Sequence, residues 1–249
     1  MTTRLFHISD VHFGVENRAA LAEVERAVER ERPDLVVCTG DLTQRAKRSE
    51  YKSAAQWFAS LGVPIWLDPG NHDMPYYNLL ERFTDPYRRY RDLKRKVAGG
   101  FASDDVVLVP LKSTVRVQRR FPWSDGVVTR RALSETLTQL RALKDDQRTI
   151  IVTAHHPLLG PEDAAQNPTI GGARAFAAIA HAGANAVLSG HIHQPIDQTR
   201  TVDGGTARML GAGTLSTRLR HGAPACYQVI TCERGGVINA EVRRFEKAV

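Results

Sequence analysis

The sequence predicts an α/β (α+β) fold, one domain over residues 1–249 made of two β-sheets with flanking helices. Three observations carry this. Apolar strand-like runs alternate with helical stretches as far as His193. Beyond His193 the helices stop and four strand-like runs follow one another. Gly204-Gly205 and Gly235-Gly236 separate successive runs of that last part, as hairpin turns require. A length of 249 residues with 42% apolar and 24% charged side chains suits a folded chain with a sizeable core.

The elements follow in order. Residues 5–9 form a short apolar strand. Asn17 is placed to cap a helix over 18–30, whose Ala20, Leu21, Val24, Ala27 and Val28 make a stripe at helical spacing. Residues 35–38 are a second buried strand. Ser49 is the candidate cap of the next helix, with Lys52 at its third position, running to about Leu61. Residues 63–67 are a third strand, with Pro64 at its edge. The stretch from about 75 to 97 is a highly charged helical insertion. A strand over 106–111, a helix over 129–143, a strong apolar strand over 149–154, an Ala-rich helix over 171–182 and a strand over 186–189 come next. Runs at 196–202, 207–210, 225–232 and 237–245 then predict an antiparallel meander over about 196–245.

No basic segment with an apolar h-region precedes the first strand, and no apolar run reaches the ~18 residues of a membrane span. The expectation is a cytoplasmic protein without a transmembrane segment. Cys38, Cys226 and Cys232 are odd in number and lack metal-ligand pairing, so they read as reduced thiols. The formal net charge of +7 favours anionic substrates by raising their local concentration, and is not by itself strong evidence for nucleic acid.

Each strong strand delivers a polar cluster at its end: Asp10-Val-His12, Gly40-Asp41, Gly70-Asn-His-Asp73, His155-His-Pro157 and Gly190-His-Ile-His193. Strand ends of such sheets share an edge, so the clusters converge in space. Imidazole and carboxylate donors without thiolate suit Mn, Fe, Zn and related divalent ions. Two neighbouring ions need a bridging anion, and an Asp can serve. Singly, each cluster also reads as an ordinary turn or loop. Their joint occurrence, in order and always at a strand end, is what points to a metal site.

On these five pieces, spanning residues 10 to 193, the sequence resembles the calcineurin-like metallophosphoesterase superfamily. The resemblance implies a four-layer αββα sandwich and two divalent metal ions. Asp10, His12 and His193 would hold one ion, and Asn71, His155 and His191 the other, with Asp41 as the bridge. His72 would sit beside the phosphate, with Asp73 orienting its ring. A metal-bridging hydroxide would attack phosphorus in line with the leaving oxygen. His156 is left between facing the substrate and packing, with packing favoured. Complete ligand positions argue against an interaction module on the same fold, as in a retromer subunit that resembles the family.

The stretch from Gly40 to Tyr51, His155-His-Pro-Leu158 and Gly190-His-Ile-His-Gln-Pro195 look like bacterial class III cyclic-nucleotide phosphodiesterases. A small phosphodiester, with a 3',5'-cyclic nucleotide as lead, is the expected substrate. Gln44-Arg-Ala departs from the group's acidic-basic-Gly pattern, which loosens that substrate label. The basic run from Tyr87 to Lys96 motivates an alternative, a pyrophosphatase or diesterase acting on a nucleotide-diphosphate lipid or sugar. It reads as a solvated helical face, a lid, or a surface for acidic lipid headgroups. A DNA nuclease is a further alternative, and little chain is left for nucleic-acid-binding segments. No obligate protein partner is evident, and the hairpins or the basic helix offer a surface for a homodimer.

Arg218 and Arg220 are candidates to bind phosphate as planar forks. Arg119, Arg120 and Trp123 either border the substrate or form a surface loop, and His221 is unassigned. His7 reads as a packed histidine. His181, near a helix end, suits the helix dipole.

Overall fold

The computed structural model describes residues 2–117, 124–160, 169–220 and 222–245. Arg119, Arg120, Trp123 and His221 lie outside the described residues. The elements are β1 (Thr3–Ile8), α1 (Arg18–Glu31), β2 (Leu35–Cys38), α2 (Arg48–Ser60), β3 (Ile65–Leu67), a 3-10 turn (Asn71–Asp73), α3 (Leu79–Thr84), α4 (Arg88–Val97), β4 (Val106–Pro110), β5 (Gly126–Val127), α5 (Arg130–Ala142), β6 (Thr149–Thr153), β7 (Thr169–Ile170), α6 (Gly172–His181), β8 (Ala186–Ser189), β9 (Ile196–Val202), β10 (Gly205–Gly211), β11 (Cys226–Glu233), a second 3-10 turn (Arg234–Gly236) and β12 (Val237–Arg244).

Two five-stranded mixed sheets result, ordered β12-β11-β1-β2-β3 and β4-β6-β8-β10-β9. Alternation along the strands sorts their side chains into three apolar layers. Phe6, Ile8, Val36 and Cys38 pack with Ala20 and Val24 of α1 and with Ala54 and Phe58 of α2. Leu5, Leu35 and Val37 point the other way, onto Leu108, Ile151, Leu188 and Leu210 of the second sheet. Val109, Ile150, Val152 and Val187 meet Leu133 and Leu140 of α5 and Phe176 and Ile179 of α6. Helix, sheet, sheet and helix, with an apolar layer at each junction, is the αββα sandwich.

Helix α1 forms as its sequence predicts: the Asn17 side chain accepts from Ala20 N at 3.1 Å, and the five stripe residues are buried. Helix α2 starts earlier than expected. Lys47 is its cap position and Glu50 its third residue, and the Glu50 carboxylate accepts from Lys47 N at 3.1 Å and Arg45 N at 2.8 Å. Ser49 lies inside the helix, because a Glu at the third position reaches back to the cap and Lys52 cannot accept. The charged insertion is two helices, α3 and α4. The C-terminal strands are not one meander. The β9–β10 hairpin extends the second sheet through a parallel β10–β8 pairing, and the β11–β12 hairpin joins the first sheet antiparallel to β1. Hydrophobic period reveals a strand but not the sheet it joins. The segment linking the hairpins crosses from one sheet to the other and carries Arg218 and Arg220 past the strand ends.

His7 is buried, with Nδ1 3.1 Å from Gln228 Oε1 and Nε2 3.1 Å from Thr39 Oγ1, so it packs as predicted. All three cysteines are buried free thiols.

Candidate metal centre

The strand ends of both sheets meet at one edge. Backbone bonds lock them together there: Asp10 N donates to Gly40 O at 3.0 Å, His12 N to Asp41 O at 3.0 Å, and Gly190 N to His155 O at 2.9 Å. Eight non-glycine residues have positive φ among the described residues, and five of these are Asp10, His12, Asp41, His191 and His193. Left-handed backbone costs roughly 1–2 kcal/mol for an ordinary residue, less for Asp, Asn and His. Such strain concentrated on five expected ligands turns their side chains inward from otherwise extended chain. Two glycines allow the close approach. A Cβ on Gly70 would overlap the Asp41 carboxylate, and one on Gly190 would lie 2.6 Å from Asp10 Oδ2 and overlap Ser9 Oγ.

Two clusters share one acid. In the first, Asp10 Oδ1 lies 3.0 Å from His193 Nε2 and 3.6 Å from His12 Nε2, and the two imidazole nitrogens are 3.3 Å apart. In the second, His155 Nε2 lies 3.0 Å from Asn71 Oδ1, and the His191 ring centre is 5.2 Å from that of His155. Asp41 Oδ2 is 3.6 Å from His12 Nε2, and its Oδ1 is 3.5 Å from His155 Nε2. The sets Asp10, His12, His193 and Asp10, Asp41, His155 each bring their ligand atoms within 4.8 Å of one another.

The proton positions make the chemistry specific. His155 Nδ1 donates to Thr39 O at 2.8 Å and His193 Nδ1 to Arg218 O at 2.6 Å. In the neutral rings both Nε2 atoms are then lone pairs, aimed at carboxylate and amide oxygens that also offer lone pairs. Asp10 Oδ1 is buried without a hydrogen-bond partner, as is His12 Nδ1. Acceptors facing acceptors in a buried site call for a cation, and this N/O donor set fits a divalent ion of the Mn, Fe or Zn class. The same demand shows in the proton affinities. Burial would raise the Asp10 carboxyl, but His12 and His193 overcome it and hold it well below the usual carboxylate range. Burial also works against the low value of Asp41, which His155 and His72 pull down. Burial opposes charge on His155, yet Asp41 and Asp10 raise it to about 9. Burial and then His155 lower His191 to about 3, which leaves that imidazole neutral and free to ligate.

His72 lies at the mouth, but Asp73 does not orient it. The Asp73 carboxylate accepts from Leu42 N, Thr43 N and Gly70 N at 3.2, 2.9 and 2.9 Å, and burial and then Asp41 raise it to about 6. It ties the Asp41 loop to the Asn71 loop. Its described hydrogen-bond partners are those three backbone N–H groups and the Thr43 hydroxyl, 3.0 Å away, not the His72 ring. His72 is oriented by Gln44 O, 2.7 Å from its Nδ1, so its Nε2 accepts from Arg218 Nη1 at 3.2 Å. Sequence reasoning missed the Gln44 carbonyl, since every residue carries one. His156 is buried and both its ring nitrogens are engaged within the protein. Its Nε2 donates to Ser124 O at 2.9 Å and its Nδ1 accepts from Ser113 Oγ at 2.9 Å, which leaves no lone pair for an ion. Arg218 thus reaches the mouth, while Arg220 sits behind His191, 3.4 Å from its carbonyl.

Residues 3–195 match the calcineurin-like phosphoesterase family. A probable cyclic nucleotide phosphodiesterase of a Synechococcus strain is 28% identical over 214 residues, 80% of this chain and 77% of that protein. A glycerophosphodiester phosphodiesterase, GpdQ of Enterobacter lignolyticus, is 40% identical over 80 residues, and that match spans 28% of this chain and 29% of the relative. A dimetal phosphatase from Danio rerio shares the fold, with a TM-score of 0.61 at 14% identity over 98% of this chain and 99% of the other. With the family match running through every strand end that feeds the site, the chain belongs to the calcineurin-like phosphoesterases and is a metal-dependent phosphoester hydrolase.

Proposed function

We propose that this chain hydrolyses small phosphodiesters, 3',5'-cyclic nucleotides first among them, with two divalent ions. Asp10, His12 and His193 would hold one ion, Asn71, His155 and His191 the other. The observation that carries the reading is the Asp41 carboxylate, with one oxygen 3.6 Å from His12 and the other 3.5 Å from His155, so that a single acid serves both clusters. Ions bound there supply a nucleophile at neutral pH by acidifying water, and they offset charge building up at phosphorus. The chain's own residues do the rest. His72 N donates to Asp41 Oδ1 at 2.8 Å and fixes the rotation of the shared acid. Arg218 stands at the mouth as a cation for phosphate oxygens. His72 keeps a proton on Nδ1 against Gln44 O, and takes a second on Nε2 before it can donate to a leaving oxygen.

The Synechococcus and Enterobacter relatives, both phosphodiesterases by name, support phosphodiesters as the substrate class. The test is a panel of 3',5'-cyclic AMP, glycerophosphodiesters, a lipid-linked nucleotide diphosphate and a chromogenic diester. Chelation should abolish hydrolysis of the cyclic nucleotide and added Mn restore it, and Asp41→Asn should cost more than about 100-fold in kcat/KM. Hydrolysis that survives both treatments sinks the two-ion reading. A lipid-linked diphosphate cleaved far faster than the cyclic nucleotide replaces the substrate with the pyrophosphatase alternative.

A further inference from the structure

Helix α3 is inside out. Its Glu81 and Arg82 are 9% and 8% exposed, while Leu79, Leu80 and Phe83 are 60%, 77% and 53% exposed. The buried charges are satisfied: Glu81 pairs with Arg88 and Arg89 of α4, and Arg82 donates to Arg116 O at 3.0 Å and Pro75 O at 3.3 Å. Water would favour the reverse arrangement, with the charges out and the apolar side chains in. Tyr76 and Tyr77, just before the helix, are also more than two-thirds exposed, at 68% and 67%. Of nine large apolar side chains exposed among the described residues, five fall between Tyr76 and Phe83. A concentration of that kind marks a docking surface.

A second observation says what docks. Beside α3, a groove of about 710 Å³ runs between α2 and α4. Arg48, Lys52, Arg88, Arg89 and Lys96 line it, against the lone carboxylate of Asp92 among its described lining residues. The Glu81 pairs join this groove to α3. On its other side the apolar cluster borders the metal centre: Arg45 donates to Tyr77 Oη, and its neighbour Gln44 holds His72.

We propose that this face docks the protein on a bilayer containing anionic lipid, with Leu79, Leu80, Phe83 and the tyrosines at the headgroup boundary and Arg48, Lys52 and Lys96 of the groove over lipid phosphates. Apolar and aromatic side chains flanked by Lys and Arg are the composition of interfacial anchors. A second copy of this chain is the poorer occupant, because it would bring the same cationic groove and a net charge of +7. No described helix is long and apolar enough to cross a membrane, so the contact is peripheral. The docked face would hold the mouth of the site beside the headgroups.

The test is sedimentation of the whole chain with vesicles of phosphatidylglycerol and phosphatidylcholine in equal parts, against phosphatidylcholine alone. It is scored without hydrolysis, so its failure is separate from any failure of the substrate reading. The expected result is binding to the anionic vesicles only, weakened by salt. Leu80→Glu with Phe83→Glu should lower partitioning at least roughly tenfold, with circular dichroism and hydrolysis of a soluble chromogenic diester unchanged. Lys52→Ala with Lys96→Ala should lower it by roughly fivefold per residue. Three results overturn the proposal: no sedimentation with anionic vesicles, sedimentation indifferent to Leu80→Glu with Phe83→Glu, or a vesicle-free dimer that this same pair of substitutions dissociates.

Discussion

On the floor of the site Asp10, His12, Asp41, His155 and His193 are each 1% exposed or less, on left-handed or tightly bonded backbone. On the rim, Tyr76, Tyr77, Leu80 and Phe83 are more than half exposed, and Arg218 reaches inward from the crossing segment. The floor holds its geometry through groups that cannot move separately: the Asp73 carboxylate binds two loops, and Gly70 lets one loop pass over Asp41. The rim is a set of side chains with water beside them. Changes to the floor should therefore act on stability, metal binding and turnover together. Changes to the rim should act on one quantity at a time.

The largest effect expected on the floor comes from Asp73→Ala. It leaves Leu42 N, Thr43 N and Gly70 N buried without their acceptor. An unsatisfied buried donor costs about 1–3 kcal/mol, so a loss of at least ~3 kcal/mol in denaturant unfolding is expected, together with weaker metal binding. Asp73→Asn, which keeps one oxygen, should recover part of both. A variant with unchanged stability and metal content but lower kcat would break the comparison, because Asp73 would then be acting in the chemistry. Gly70→Ala should come next. The added Cβ overlaps the Asp41 carboxylate and backbone nitrogen, neither of which is the free end of a flexible side chain. Overpacking of this kind costs about 1–3 kcal/mol, and metal content measured on the purified variant should fall with it.

The floor was legible in the sequence and the rim was not, for a physical reason. Metal-binding chemistry restricts residue type, so Asp10, His12, Asp41, Asn71, His155, His191 and His193 stand out as candidates, and the strand ends before them fix where they meet. The left-handed backbone of Asp10, His12, Asp41, His191 and His193 leaves no mark in the sequence, since Asp and His adopt it without the signature a glycine leaves. Asp73 misled because a carboxylate next to a histidine reads equally as a partner for the ring or for backbone N–H groups, and only the turn decides. His156 admits two readings in the sequence, and in the fold Ser113 Oγ and Ser124 O use both its nitrogens. The sequence around helix α3 predicts a charged helical stretch. A helical pattern says which residues share a face, but the partners of Glu81 and Arg82 decide that the charged face turns inward.

Arg218→Ala should give the smallest effect and the cleanest separation of rim from floor. Arg218 contacts His72 Nε2 at 3.2 Å and Gln44 Oε1 at 3.3 Å, and neither contact supports the fold. Stability and metal content should stay as they are. A charge-assisted bond to a phosphate oxygen is worth about 1.5 kcal/mol at a partly exposed position, so KM should rise roughly tenfold with little change in kcat. Arg218→Lys should restore only part, because a point charge cannot reproduce the planar fork. The His72 ring gives an independent reading. Burial is the first cause of its lowered proton affinity, and the positive charge of Arg218 lowers it further. Removing that charge should move the imidazole titration upward, as followed by NMR on the ring protons. A raised KM with a fixed His72 titration would mean that Arg218 meets substrate from elsewhere. If both stay fixed, the crossing segment does not reach the mouth in solution, and the contact between Arg218 and His72 is not made there.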